Sequence, residues 1–82
     1  MPTVLRLDGL RVAIYPNDHR PPNVHVIGTR YEAVFILHCP DGPIELRENY
    51  SFPRHVVTRI TADLAKHVAA LCEEWERIHG PV

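Results

Sequence analysis

The sequence predicts an α+β fold: a small antiparallel sheet of four to five strands, opening with β-hairpins, packed against a long C-terminal amphipathic helix, either continuous or bent or split. Three observations predict it. Asp8-Gly9 separates two short runs of alternating apolar residues, and this dipeptide suits a type I′ hairpin turn, which needs positive φ at both central positions. Between residues 31 and 38, Ala33, Phe35 and Leu37 alternate with Glu32, Val34 and Ile36. From Val56 onward, Val57, Ile60, Leu64, Val68, Leu71, Trp75 and Ile78 recur every three or four positions, which is one stripe of a helix.

The elements follow in order. Thr3–Leu7 and Leu10–Tyr15 form the first hairpin, with a register set by its two-residue loop: Leu7 faces Leu10, Leu5 faces Val12, Thr3 faces Ile14. The other face then brings Arg6 directly opposite Arg11. Like charges so placed destabilise a ladder by up to roughly 1 kcal/mol. Either an acid on a neighbouring strand offsets them, with Glu32, Glu45 and Glu48 available, or an external anion does. Pro16 ends the second strand because it cannot donate to a ladder. Pro21-Pro22 then delivers the chain in extended form to a strand over Asn23–Ile27. Gly28-Thr29-Arg30 is a short loop into a central strand, Tyr31–His38. Pro40-Asp41-Gly42-Pro43 is a turn, and Ile44–Arg47 a fifth, edge strand. Ser51 or Phe52 lies near a helix cap with Pro53 in the first turn, and Gly80-Pro81 stops the helix.

A helix over residues 53–79 would be about 40 Å long, against roughly 30 Å for a compact domain of this size. It must break, near Ala62 or Ala69, or project and bury Leu71, Trp75 and Ile78 against a partner or a second copy. Its charges oppose the macrodipole, with Arg54, His55 and Arg59 at the start and Glu73, Glu74 and Glu76 near the end. The basic first turn is either solvated charge or an anion site.

Composition bounds the function. Eighty-two residues, 45% of them apolar, make one domain over 1–82, with residues 1–50 forming the sheet and 51–80 the helical segment. A net charge of −1 offers no bulk attraction for nucleic acid or membranes. Locally, residues 1–30 carry four Arg against two Asp, while residues 31–50 carry one Arg against four acids. Eight Arg to one Lys reflects genome composition or a need for forked, planar donors to phosphate or carboxylate. Cys39 and Cys72 are too few and too distant for a metal knuckle or a disulfide scaffold. With no signal peptide or membrane-length apolar run, the expectation is a cytoplasmic protein with reduced thiols and no cofactor.

The most specialised stretch is Tyr15–Val26, YPNDHRPPNVHV, with three prolines, an Asn-Asp-His run and a second histidine. His19, His25 and Asp18 could form a facial metal set. Alternatively the histidines work as acid and base, with Asp18 orienting one and Tyr15 as a further donor. A third reading makes Asn17-Asp18 an Asx-type turn that stops the strand. The remaining histidines, His38, His55, His67 and His79, are scattered. No P-loop, deaminase or nucleophile-elbow motif is present.

At these residues the chain resembles the domain-of-unknown-function family 4160. The opening MPTVLRLDGLRVAIYPNDHRPPNVHV follows that family's pattern M-P-T-x-x-R-x-x-G and N-D-H-x-P-P-H-x-H-V. The likeness continues more weakly through Glu32–Phe35 and the helix end EEWERIHG. Arg6, Gly9, Asn17, Asp18, His19, Pro21, Pro22, His25 and Val26 match. Asn23 stands where the family usually has His, which weakens a three-histidine metal set. The resemblance implies a toxin-like component of a bacterial toxin–antitoxin module, encoded beside an antitoxin-like partner of the domain-of-unknown-function family 2442. Read with the residues themselves, such a component would act on or bind RNA or other nucleic acid through Arg6, Arg11 and Arg20 with His19, His25, Asp18 and Tyr15. The alternatives are a non-catalytic protein–protein interaction subunit, including a homodimer, and a metal-binding hydrolase-like protein.

Overall fold

The computed structural model describes residues 3–80; Met1, Pro2, Val82 and Pro81, expected to help stop the helix, lie outside the described residues. Five strands and two helices follow one another: β1 (Thr3–Leu7), β2 (Leu10–Ala13), β3 (Asn23–Ile27), β4 (Glu32–Ile36), β5 (Glu45–Tyr50), α1 (Arg54–Ala65) and α2 (Val68–His79). The strands form one antiparallel meander in the order β1-β2-β3-β4-β5.

The hairpin forms where the sequence places it. Asp8 and Gly9 both have positive φ, 46° and 82°. Leu7 pairs with Leu10, Leu5 with Val12 and Arg6 with Arg11. An irregularity between Thr3 and Leu5 shifts the rest, so Thr3 pairs with Ala13 rather than Ile14. β3 occupies the expected residues, and the Gly28–Tyr31 turn is closed by Gly28 N–H donating to the Tyr31 carbonyl at 2.9 Å. β5 begins and ends later than expected and bulges opposite Val34/Phe35, a device that discourages strand addition at an edge.

One face of the sheet is closed. Val12, Ile14, Val24, Val26, Phe35 and Leu37 are fully buried there beneath Phe52, Ile60, Leu64, Leu71 and Trp75. The helical segment is two helices, not one long one. It breaks at Lys66-His67, where His67 leaves the helical region at φ −120°, ψ 11°. Neither Ala62 nor Ala69 is the hinge. Two twelve-residue helices fit a molecule 33 Å in its longest dimension; an unbroken helix would overrun the sheet.

The break also corrects the expectation that Leu71, Trp75 and Ile78 dock a partner. Folding α2 back buries Leu71 at 2% exposure and Trp75 at 0%, with Ile78 packed against the same core. These side chains close the domain's own interior. Trp75 stacks on His79, ring centroids 3.7 Å apart. Helix α2 ends as expected at Gly80, φ 89°, whose N–H donates to the Glu76 carbonyl. Pro53, not Ser51 or Phe52, caps α1. The approach to α1 is held by Asn49, which donates to the Phe52 carbonyl and accepts from the Phe52 N–H.

A second correction concerns the thiols. Cys39 and Cys72 are joined as a disulfide, Cα atoms 5.8 Å apart, within the range a bridge spans. Thirty-three positions apart in sequence, they meet because α2 lies across the segment leaving β4. Reduced thiols therefore do not describe this fold, and they no longer support a cytoplasmic location. No helix among the described residues is long and apolar enough to cross a membrane.

Candidate functional site

The opposite face of the sheet carries the specialised stretch. Register puts Arg11 beside Ile27, and Ala13, His25, Val34 and Glu48 in one row across four strands. Arg6 is opposite Arg11, so the meander sets Arg6, Arg11 and His25 on one face, joined by Tyr15 just beyond β2. Both helices lie on the other side.

At the centre of this face His25 is held from two sides. In the doubly protonated ring, Nδ1–H donates to Glu32 Oε2 at 2.8 Å and Nε2–H donates to Asp18 Oδ2 at 2.9 Å. The Tyr15 ring meets it in a T-shaped contact, centroids 4.2 Å apart. Only the imidazolium can donate to both carboxylates; a neutral ring satisfies one and presents a lone pair to the other. Ala13 and Val34, neighbours of His25 in the row, are buried at 0% and 5% although no helix covers this face. The cluster itself roofs them.

Local chemistry explains how the loop reaches the strand. Asp18 N–H donates to the Tyr15 carbonyl, closing a turn over Pro16-Asn17, and this aims the Asp18 carboxylate back at β3. Asn23, only 2% exposed, donates through Nδ2 to the Pro21 carbonyl at 3.0 Å and to the His19 carbonyl at 3.4 Å. Its amide thus clamps the loop that an imidazole would otherwise meet. The Arg20–Pro21 peptide is cis, and the Leu37 N–H donates to the Pro22 carbonyl.

Burial, followed by the Glu32 carboxylate, pushes the Tyr15 phenol above its ordinary value, with Arg11 pulling the other way and Asp18 adding to the rise. It is a neutral donor near pH 7. A hydrogen bond to Glu48 likewise raises the exposed Tyr50 phenol.

The structure brings together Tyr15, Asp18 and His25, and separates His19, which is exposed and contributes its backbone carbonyl. The expected metal set of His19, His25 and Asp18 is not assembled, since the two carboxylates occupy both His25 nitrogens. Among the described residues no group of three His, Cys, Asp or Glu side chains is arranged to hold a metal ion. The same engagement turns both His25 ring nitrogens away from the open surface.

The three acids available to neutralise Arg6 and Arg11 are each committed elsewhere: Glu32 to His25, Glu45 to His38 and Glu48 to Tyr50. No carboxylate among the described residues lies within ion-pair distance of either arginine. Arg20 is exposed on the loop beside them and does have an interaction partner. Glu32 is the site residue that sequence reasoning assigned to the wrong partner. Its only local signal was position, since in a tight β3–β4 hairpin it lies seven residues from His25.

A family model described as a domain of unknown function, DUF4160, matches residues 9–76. No curated protein and no solved structure matches the chain.

Proposed function

The chain belongs to the DUF4160 family, and from there we propose that it is a toxin-like component of a toxin–antitoxin pair that binds RNA through its open sheet face, without cutting it. The observation that carries this reading is the Arg6–Arg11 pair, facing each other across the β1–β2 ladder with no carboxylate of the described residues within ion-pair distance. Two arginines paired across a ladder can turn forked donors to one phosphate, and an anion between them would relieve a repulsion the hairpin otherwise bears. Tyr15, held neutral, offers a ring and a hydroxyl beside them. His25 acts as a positioning residue: by binding Asp18 and Glu32 it keeps both acids from the arginines. Binding is favoured over cleavage because both ring nitrogens of the histidine at the centre of the face are turned to carboxylates, at 2.8 and 2.9 Å, and neither is turned to a ligand on the surface.

Fluorescence anisotropy with a labelled single-stranded RNA tests this. Binding is expected at low salt, weakening steeply as salt rises, with the RNA intact on a gel afterwards. The Arg6→Ala/Arg11→Ala double variant should lose about tenfold or more in affinity at unchanged fold. Induced expression should arrest growth and fail to do so in that variant. A folded wild-type protein that binds no RNA at low ionic strength, or RNA that is cut, overturns the reading.

A second reading, a non-catalytic interaction subunit, draws on β5. All six of its residues are exposed, Leu46 at 41% and Tyr50 at 56%, because the helices do not reach over this edge. Co-purification with the product of a neighbouring family 2442-type gene, lost on Leu46→Asp, would favour it.

A further inference from the structure

A groove that uses none of the Tyr15–Val26 residues lies on the helix side, between the β1–β2 turn and α1. It encloses about 290 Å³, near the lower end of the about 300–1,000 Å³ typical of small-molecule sites. Its walls are apolar: Leu7 and Leu10 from the hairpin, Val56 and Ile60 from α1, and Tyr31 with Phe52 at one end. Those two rings stack at 5.2 Å, and Tyr31 stays 43% exposed. Behind them Gly28 makes the wall thin, since a Cβ there would lie 3.1 Å from Leu10 Cδ2, 3.6 Å from Tyr31 Cδ2 and 3.7 Å from Phe52 Cζ. Leu10, Tyr31 and Phe52 all line the groove; the absent side chain lets them converge on one spot.

The rim is charged. Arg59 on α1 reaches towards Asp8 on the turn, Nη1 to Oδ2 3.9 Å, both groups largely exposed. That distance is at the outer limit of an ion pair, so Arg59 is held loosely over the apolar slot. Through Leu7, Asp8 and Asp63 the slot runs on into a polar cleft of about 300 Å³ lined by Arg6, Lys66 and His67. Counting fixed charges on the two walls, Arg6, Arg59 and Lys66 outnumber Asp8 and Asp63 by one. The chemistry that matches is an apolar body joined to a single negative head.

We propose that this groove binds a small amphipathic acid, an aromatic or medium-chain aliphatic carboxylate, with its body against Leu7, Leu10, Val56 and Ile60 and its carboxylate taking Arg59 from Asp8. The site shares Arg6 with the RNA-binding reading, but its apolar walls and Arg59 are its own, so Arg59→Gln tests it without touching the arginine pair.

Three probes with the same eight-carbon chain test the proposal by calorimetry on the full chain: octanoate, 1-octanol and octylammonium. Octanoate should bind tightest and octylammonium weakest. Arg59→Gln should weaken octanoate by about tenfold and change octanol by less than about twofold, since it removes a charge-assisted contact and no apolar wall. Val56→Trp should fill the slot and abolish binding of octanoate and octanol. If that variant melts early, methyl NMR of the unsubstituted protein serves instead, with octanoate shifts expected on Leu7, Leu10, Val56 and Ile60. The proposal is overturned if octylammonium binds as tightly as octanoate, if Arg59→Gln leaves octanoate affinity unchanged, if the methyl shifts fall elsewhere, or if octanoate fails to bind up to about 5 mM.

Discussion

The two faces of this sheet solve the same problem in different ways. The face under α1 and α2 is filled by Val12, Ile14, Val24, Val26, Phe35 and Leu37, closed from above by Leu64, Leu71 and Trp75. The other has no helix above it, yet Ala13 and Val34 are just as buried. There the cover is a loop pinned by a histidine between two carboxylates. An apolar lid is non-directional and tolerates repacking. A lid of charge-assisted hydrogen bonds is directional, and it holds only while every donor keeps its acceptor. The contrast shows why the Tyr15–Val26 stretch is so rich in turn formers and polar groups: it must cover the sheet while turning back to bond it.

Substitutions on each face should sharpen that contrast. The largest effect belongs to the closed face. Trp75→Ala should cost about 3–5 kcal/mol in a urea melt, a large part of the total stability of a small domain, because Trp75 has no exposed surface. On the open face, His25→Gln keeps size and polarity, but both its N–H donors sit on one nitrogen, so its amide oxygen is left towards one of the two carboxylates. Its expected cost is about 1–2 kcal/mol, the low end for hydrogen bonds to charged groups because Asp18 and Glu32 remain about a third exposed. Faster amide exchange confined to residues 15–22 would separate a loosened lid from a weakened core. The smallest effect should have the opposite sign. Arg11→Thr removes a like-charge contact across the ladder and should stabilise the hairpin by up to about 1 kcal/mol, while lowering RNA affinity. A destabilised Arg11→Thr would mean that the arginine pair is packing, not repelling.

Much of this was legible locally. The Asp8-Gly9 turn, the Arg6–Arg11 opposition and the bounds of β3 follow from backbone rules acting within a few residues, and all are present. The shared face of Arg6, Arg11, Tyr15 and His25 needed the strand order, which no local pattern encodes. The helix break carried no Gly or Pro to announce it; it arises because Leu71 and Trp75 reach the sheet only if α2 turns back. Glu32 looked like a counter-charge for arginine, and only the β3–β4 register reveals that, standing opposite Ile27, it lies diagonal to His25 on the same face, where its carboxylate meets the ring. The metal set failed for a similar reason, since closeness in sequence placed His19 near His25 while the turn at Pro16-Asn17 sends its ring outward. The groove left no motif at all, its walls coming from the first hairpin, the β3–β4 turn and α1.

The Cys39–Cys72 bond has a topological consequence. Residues 39–72 form a covalent ring that contains the whole of β5 and α1. A protease that cuts once within the exposed β5 opens the ring without releasing a fragment. The two halves stay joined through sulfur, one holding β1 to β4 and the other both helices. Nicked and intact chains would therefore migrate with the same mass until a reductant is added. The most exposed strand of the molecule lies where a single break does not shorten the chain.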